Sequence, residues 1–505
     1  MNGPDGSGSS DGTASSTGPG MRLAKTVGVF TVMASAVSQE YGGGINFVLV
    51  HSVGQYPQAG SLIPLAMLVA GLVLIPKIAL LGRFSQVLPR AGSTYVWLTR
   101  SVHPPVGFAV ASLAFVGVTA AIGFLALSFT TFVQGVLAQF GTTLPWITSS
   151  TGQLVIGLVL IWSVFAVHYY GIGRYANLVT LLFVVILVAA VTTIVVGFGT
   201  SADAFTSEVT TTLGQPVDSA RPRQPSFTAF LGVIGMFMFV YGGQLGATSL
   251  GGESRNATRS VARGLWLGWG TALVLYTLIS FALFHMASVP AVQALLNAGR
   301  DELAATPGVT ALVLPKAAGV ALNVLVVVLI GKTLAPQMLD SSRLLFAFGQ
   351  DGVAPRAVLR TNRFKAPDVA LLTSAVLASV FLVEAALFGF EIGVLFRSAS
   401  IVAVFGTLGA GVLNARFNPR FVNVSWARGL TAHRDVVPAA ILAIVLAGVL
   451  AYSVLVSEGD PLLLQPGVQA LITLGLAATV YGFAGRRARR NGRNLAAQLR
   501  TTPPE

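Results

Sequence analysis

Long apolar segments recur along the chain after residue 20, and they decide what it can fold into. A helix needs about 20 apolar residues to cross the hydrocarbon core of a bilayer. By that criterion we predict twelve transmembrane helices, near residues 25–52, 60–88, 105–138, 152–170, 175–199, 227–250, 263–287, 312–345, 369–389, 391–415, 436–457 and 464–484. Only 10% of the residues are charged, against roughly 25% in soluble domains. We therefore expect an all-α polytopic membrane protein whose surroundings are the lipid bilayer.

The composition also excludes several classes of function. The net charge of +13 would point to nucleic acid only on a soluble module with a basic face, so we expect no nucleic-acid partner. The chain has no Cys, and its five His form neither an H-x3-H nor an HExxH pattern. The phosphate-binding pattern G-x4-G-K-[ST] is absent as well. We predict no cofactor, no metal, no ATP hydrolysis and no enzymatic activity.

The basic residues indicate which side of the membrane each loop occupies. With twelve spans, 24 of the 31 Lys and Arg residues fall on the side that carries both termini. The opposite loops hold four: Arg221, Arg223, Arg300 and Lys316. Because Lys and Arg accumulate in cytoplasmic loops, we expect both termini in the cytoplasm and the protein in the cytoplasmic (inner) membrane of a prokaryote.

Two of the predicted spans are interrupted by glycines at matching positions. Gly42, Gly43 and Gly44 lie in the middle of the first span, and Gly242 and Gly243 lie in the middle of the sixth. Glycine weakens a helix interior. The two interruptions are equivalent if five helices repeat as five, and an odd-numbered repeat must be inverted in the membrane. Paired broken helices of this kind indicate a binding site near the bilayer midplane.

The interruptions predict a site for a zwitterion. Backbone N–H groups at the first break suit a carboxylate, and carbonyl groups freed at the second suit an ammonium. The alternative is that the glycines only permit close packing of helices. The predicted substrate-binding residues are Gly42, Gly43, Gly44, Ile45, Tyr241, Gly242, Gly243 and Gln244.

Four stretches in order along the chain resemble motifs of the amino acid-polyamine-organocation superfamily of secondary transporters. GGGI at 42–45 resembles its broken-helix GSGI, and LPRAGSTYVWLTR at 88–100 resembles its P-x-A-G-G-x-Y stretch. FVYGGQL at 239–245, with the GGESRNATRSVAR that follows, resembles the sixth-helix pattern F-x-G-x-E and its tail. SSRLLFAFGQDGVAP at 341–355 resembles the segment after the eighth helix.

The resemblance implies a five-plus-five inverted repeat with two added helices. Residues 21–200 would form the first repeat, 226–417 the second and 434–486 the added pair, with a disordered cytoplasmic tail at 1–20 and a basic one at 487–505. It also implies that the ring of Tyr241 covers the substrate. The acidic residue that is usual in the sixth helix is replaced by Leu245 or Gln244, so the resemblance does not identify the substrate. Arg90, Arg343 and Asp351 belong to motif regions that we interpret as structural or gating.

Ionisable residues inside a span are costly and usually functional. Glu40 precedes the first break, so it is a candidate to hold a substrate ammonium, shuttle a proton or pair with a nearby lysine; the alternative is a helix-end cap or a position facing a water-filled vestibule. Lys332, in the eighth span, lies where sodium-coupled relatives bind sodium, and its ammonium would favour a proton over sodium. The alternative for Lys332 is snorkelling or pairing with Asp340, and Thr333 could still serve as an oxygen ligand for sodium. For Lys77 and Arg397 we predict snorkelling to the membrane surface.

These observations favour a secondary active transporter of an amino acid or related organic amine, working by alternating access with proton symport or exchange. The alternatives are a sodium-coupled or polyamine transporter of the same fold, and a homologue that binds amino acids as a receptor without moving them. A passive channel and a membrane enzyme fit less well, because neither a periodic polar lining nor a cluster of catalytic groups is visible.

Overall fold

The structure is a computed structural model, and it describes residues 28–90, 92–142, 144–170, 175–217, 225–248, 257–389, 391–456 and 461–501. Every regular element among these residues is a helix. Some residues used in the sequence predictions lie outside the described residues: the tail 1–20, the motif residues Ala91, Glu253 and Asn256, and the loop residues Arg22, Lys25, Arg174, Arg221, Arg223 and Arg255.

The first part of the chain folds into the helices of the predicted first repeat. They are α1 (Val29–Glu40), a π-helical segment (Gly44–Val48), α2 (Leu49–Gln55), α3 (Ile63–Val73), α4 (Ile75–Val87), α5 (Ser93–Ser101), α6 (Pro104–Gln139), α7 (Pro145–Thr148), α8 (Ser150–Tyr169) and α9 (Tyr175–Gly199). A short 3-10 turn, Gly60–Leu62, precedes α3.

The second part contains the predicted second repeat and the added helices. They are α10 (Ala202–Leu213), α11 (Phe227–Phe237), α12 (Gln244–Thr248), α13 (Ala257–Met286), α14 (Val289–Asn297), α15 (Thr306–Leu312), α16 (Lys316–Gln350), α17 (Asp368–Phe388), α18 (Glu391–Phe417), α19 (Ser425–Thr431), α20 (Val436–Leu455), α21 (Pro466–Arg490) and α22 (Leu495–Gln498). Three 3-10 turns, Arg356–Leu359, Pro419–Phe421 and Leu462–Leu464, connect them.

Ten segments of the described chain are long and apolar enough to cross a membrane. They coincide with ten of the twelve predicted spans, which makes this a multi-pass membrane protein. At the other two positions, the first and the sixth, the structure has the helix pairs α1/α2 and α11/α12. The structure is therefore consistent with twelve spans, two of them broken.

The second span is also interrupted, between α3 and α4, at Leu74. Pro76 lies in the first turn of α4, where a residue without an N–H is tolerated because the first amides of a helix have no partner within it. This interruption was not predicted. The next residue, Lys77, is fully buried.

Several helix contacts occur in pairs that the proposed five-helix repeat would relate. The third and eighth spans, α6 and α16, pack directly on one another. The contact of α1 with α13 has a counterpart five spans later in the contact of α11 with α3, and the contact of α6 with α17 has one in that of α16 with α8. Likewise, α6 contacts α18 and α16 contacts α9. These paired contacts are what two equivalent halves would make.

The helices differ in how much of their surface faces outward. The third span, α6, is buried along most of its length, so it forms the centre of the bundle. The last span, α21, exposes most of its apolar side chains, as expected of a helix that faces lipid. It continues past the predicted boundary at residue 486 to Arg490. Beyond it, Leu495 and Leu499 are buried, so the described part of the predicted tail packs back onto the protein.

Candidate functional site

The first helix breaks at Tyr41 and Gly42. Helix α1 ends at Glu40, and Tyr41 leaves the helical region with ψ of 80°. The Gly42 amide donates to the Glu40 carbonyl at 2.9 Å, and Asn46 donates both its backbone amide (3.2 Å) and its side-chain amide (2.9 Å) to the Gly42 carbonyl. Helical structure resumes at once, so the amides of Gly43 and Gly44 begin a new helical segment, where N–H groups lack partners within the helix.

The sixth helix has the longer interruption. Helix α11 ends at Phe237, and a turn runs from Met238 to Gly243 before α12 begins at Gln244. Within that turn the Gly242 amide donates to the Phe239 carbonyl at 3.1 Å. Gln244 therefore lies in the first turn of α12, whereas Tyr241 and Gly242 lie in the unwound segment.

The two breaks meet in the middle of the protein. A Cβ on Gly243 would lie 2.6 Å from Cγ of Glu40 and 2.8 Å from the Ala36 carbonyl oxygen. A Cβ on Gly44 would lie 3.1 Å from Cα of Val240. Real Cβ atoms do not approach other atoms so closely without displacing them. Gly44 and Gly243 therefore permit close packing of the helices, which was the alternative interpretation of the glycines. This packing brings the two interruptions together.

A small cavity lies at this meeting point. Six predicted site residues border it: Gly43, Gly44, Gly242, Gly243, Glu40 and Thr333. The remaining lining residues are Gln39, Ala121, Leu125, Phe239, Gln337 and Arg397. Five predicted site residues lie near the cavity without bordering it: Gly42, Ile45, Tyr241, Gln244 and Lys332.

Tyr241 does not cover this cavity. Its ring packs against that of Tyr276, with centroids 5.4 Å apart, and its hydroxyl donates to the Met67 carbonyl at 3.3 Å. The aromatic side chain that borders the cavity is Phe239, two positions earlier, which also contacts the ring of Phe124 at 5.3 Å. In an unwound segment the side chains do not follow helical periodicity, so the sequence alone did not separate these two aromatic residues.

Lys77 does not snorkel, which corrects the sequence prediction. It is fully buried, and its ammonium donates to the Tyr241 carbonyl at 3.3 Å and to Oε1 of Gln244 at 3.2 Å. The Lys77 ammonium therefore donates a hydrogen bond to the Tyr241 carbonyl, one of the groups that we expected to bind the substrate amino group. Both contacts join the second span to the broken sixth one.

Arg397 does not snorkel either. It is 5% exposed, borders the cavity, and donates from Nη1 to Oγ of Ser400 at 3.4 Å. Glu40 is 4% exposed and borders the same cavity. Its carboxylate lies beside the backbone amides of Gly243 and Gln244 without reaching hydrogen-bonding geometry. The cavity thus combines one acidic and one basic side chain with the glycine backbone.

Lys332 links the first and eighth spans. Its ammonium donates to the carbonyl oxygen of Ser38 at 2.5 Å and to the Ser38 hydroxyl at 2.6 Å. The hydrogen-bonding partner of Lys332 is thus Ser38 in α1. The alternative prediction was that Lys332 pairs with Asp340. The neighbouring Thr333 hydroxyl lies 2.7 Å from the Leu329 carbonyl and 3.3 Å from that of Tyr41, so it too contacts the first break.

The motif regions after the second and eighth spans contact one another away from the cavity. Arg100 makes a bidentate, buried ion pair with Asp351, at 2.7 and 3.0 Å. Gly92 adopts φ of 78°, and a Cβ there would collide with Ala347. These contacts support the structural interpretation of the Asp351 region.

Comparison with known proteins places the chain in a family. A profile described as "Amino acid permease" matches residues 27–477. The branched-chain amino acid permease BcaP of Lactococcus lactis subsp. cremoris is 25% identical over 407 residues, which cover 77% of this chain and 78% of that protein. An uncharacterized transporter of Mycobacterium tuberculosis is 24% identical over 360 residues, covering 71% and 74%. Because the profile covers most of the sequence, this chain belongs to the amino acid permease family.

Proposed function

We propose that the protein is a secondary active transporter that moves an amino acid or a related amine across the cytoplasmic membrane of a prokaryote by alternating access. One observation carries the proposal: the two interrupted helices meet at a cavity bordered by glycine backbone and by charged side chains. Such a cavity can receive both ends of a zwitterion. Family membership supports an amino acid as the substrate.

The substrate carboxylate binds at the amides of Gly43, Gly44 and Ile45, which begin a helical segment after the first break. Gly42 holds this turn through its contact with Asn46. Because Lys77 already occupies the Tyr241 carbonyl, the substrate amino group binds nearer to Glu40 and the backbone of Gly242 and Gly243. Gln244 and Tyr241 then act by holding Lys77 in place.

Coupling to protons, or exchange without an ion, is favoured over coupling to sodium. The ammonium of Lys332 lies between the first and eighth spans, where it donates to two oxygens of Ser38. The Lys332 ammonium would then provide the positive charge that a sodium ion would otherwise provide between these helices. The sodium alternative rests on Thr333, whose hydroxyl contacts the first break.

Uptake into proteoliposomes tests the proposal. The purified chain is reconstituted, and labelled leucine, glutamate, lysine and putrescine are offered with an imposed pH gradient, an imposed sodium gradient, or unlabelled amino acid inside. Leucine is included because the Lactococcus lactis relative is named a branched-chain amino acid permease. Concentrative uptake with any amino acid supports transport, and the gradient that drives it identifies the coupling ion.

Binding without uptake would instead indicate a receptor. Uptake that stops at equal concentrations under every gradient, and that shows no exchange, would indicate a passive channel. Uptake of putrescine alone would indicate a polyamine transporter. Each of these results would replace the proposal with a named alternative.

A further inference from the structure

We propose that the substrate is an acidic amino acid, whose second carboxylate is recognised by Arg397. The inference rests on the proposed function, and it adds the chemical class of the substrate. It starts from a guanidinium that borders the cavity and that the protein leaves largely without acceptors.

Arg397 lies in α18 and is 5% exposed. In the part of the chain that the structure describes, its one hydrogen-bond acceptor is the Ser400 hydroxyl, at 3.4 Å from Nη1. Its Nε lies 3.8 Å from the position that a Cβ on Gly242 would occupy, which places the guanidinium beside the unwound sixth helix. A guanidinium has five N–H donors in a planar fork that matches a carboxylate. A buried charge of this kind needs acceptors, and the cavity is where a solute can supply them.

The other buried charged groups near the two breaks do not supply Arg397 with a carboxylate. Among the described residues, Lys77 and Lys332 donate to protein oxygens, and Glu40 borders the same cavity. Asp340 lies near Arg397, but the two side chains form no ion pair within 4.0 Å in the described chain. Within these residues, the guanidinium is therefore left without a carboxylate in direct contact.

An acidic amino acid can supply a carboxylate to this guanidinium. It carries two carboxylates and one ammonium, and hence one net negative charge at neutral pH. Its α-carboxylate binds the amides that begin at Gly43, its ammonium faces Glu40, and its side-chain carboxylate receives the fork of Arg397. A neutral amino acid such as leucine would leave the buried guanidinium without a carboxylate partner.

The first test uses the unaltered full-length protein in proteoliposomes. Uptake of labelled glutamate and labelled leucine is measured, each with unlabelled aspartate, glutamate, glutamine, leucine and lysine as competitors. We expect glutamate uptake, with aspartate and glutamate competing at least about tenfold better than leucine or lysine. Uptake of leucine that acidic amino acids do not inhibit would overturn this inference and leave the proposed transport function standing. No uptake of any amino acid would overturn both.

The second test assigns the recognition to Arg397. Arg397→Gln removes the charge, and we expect it to reverse the preference, lowering glutamate uptake about tenfold or more while glutamine or leucine uptake is kept or increased. Arg397→Lys keeps a positive charge without the planar fork, so its loss should be smaller.

The control is Glu384→Gln, which also removes a charge within the membrane. Glu384 lies in α17, bonded to Gln469 and outside the cavity lining, so its substitution should leave the glutamate-to-leucine ratio unchanged. An unchanged ratio in Arg397→Gln would overturn the assignment. If that variant is not monodisperse on size-exclusion chromatography, Arg397→Lys and the competition series on the unaltered protein decide.

Discussion

At the scale of single residues, two lysines that do not border the cavity contact the broken helices. Lys77 donates to the Tyr241 carbonyl and to Gln244, and Lys332 donates to Ser38. Each lysine therefore joins another span to one of the two spans with glycine breaks. Unwound main chain leaves carbonyl groups without partners in the membrane, which is costly, and a buried ammonium can satisfy them. The lysines thus stabilise the interruptions that form the cavity.

Lys77 and Glu40 should be energetically coupled. They lie on either side of Gln244, whose side chain accepts from Lys77 and whose amide lies beside Glu40. Lys77→Met leaves the Glu40 charge without compensation, and Glu40→Gln does the same to Lys77. We expect each to lower the free energy of unfolding by about 2 kcal/mol, and the double variant to lose less than the sum. Thermal unfolding in detergent measures this. Strictly additive losses would contradict the coupling.

Lys332 should determine how uptake responds to pH. Its ammonium joins the first span to the eighth through Ser38. Lys332→Ala removes the only ionisable group of that contact, so we expect uptake to fall and its remaining pH dependence to flatten. Lys316→Ala, at the start of the same helix and exposed, is the control. Uptake by Lys332→Ala that keeps the original pH profile would remove this residue from the coupling mechanism.

At the scale of helices, the close approach of α1 to the sixth span depends on glycine. Gly243→Ala puts a methyl group against Cγ of Glu40 and the Ala36 carbonyl, so the two breaks must separate. We expect substrate uptake to drop at least about tenfold, with a loss of roughly 1–3 kcal/mol of stability from overpacking. Gly448→Ala, where a Cβ meets nothing within 4 Å, should change neither. Normal uptake by Gly243→Ala would show that the breaks need not touch.

The limits of sequence-based prediction also show at this scale. Hydropathy located ten spans, and consecutive glycines located both breaks, because each signal is local to its own segment. The burial of Lys77 has no such local signal in the sequence. It depends on the packing of α4 against the sixth span and on the Tyr241 carbonyl, which lies 164 positions away in sequence. Arg397 was misjudged for the same reason, because its place near a helix start says nothing of which face of α18 meets the cavity.

At the scale of the whole molecule, the orientation in the membrane is a separate prediction. The asymmetry of Lys and Arg predicts that both termini lie in the cytoplasm. A fluorescent protein that folds only in the cytoplasm, fused after Glu505, should therefore fluoresce in cells. The same protein inserted after Gly299, in the opposite set of loops, should stay dark. The reverse pattern would contradict the predicted topology.

The C-terminal segment closes one end of the bundle instead of extending freely. Leu495 is 5% exposed and Leu499 is fully buried. The carbonyl oxygen of Thr501 accepts a hydrogen bond from Nε of Arg100 at 3.1 Å, and the same guanidinium is paired with Asp351. The segment therefore covers the ion pair that joins the regions after the second and eighth spans. Its docking should stabilise the entire fold.

Leu499→Ala tests this docking. Removing a fully buried leucine side chain should cost about 3 kcal/mol of unfolding free energy, because it leaves a cavity between the segment and the bundle. The control is Leu463→Ala, since Leu463 is 70% exposed and its loss should be close to neutral. Unfolding in detergent, followed by the loss of monodisperse protein on heating, compares the two. Equal unfolding temperatures for the two variants would mean that the segment contributes nothing to the stability of the transporter. The helices alone would then hold the Arg100–Asp351 pair.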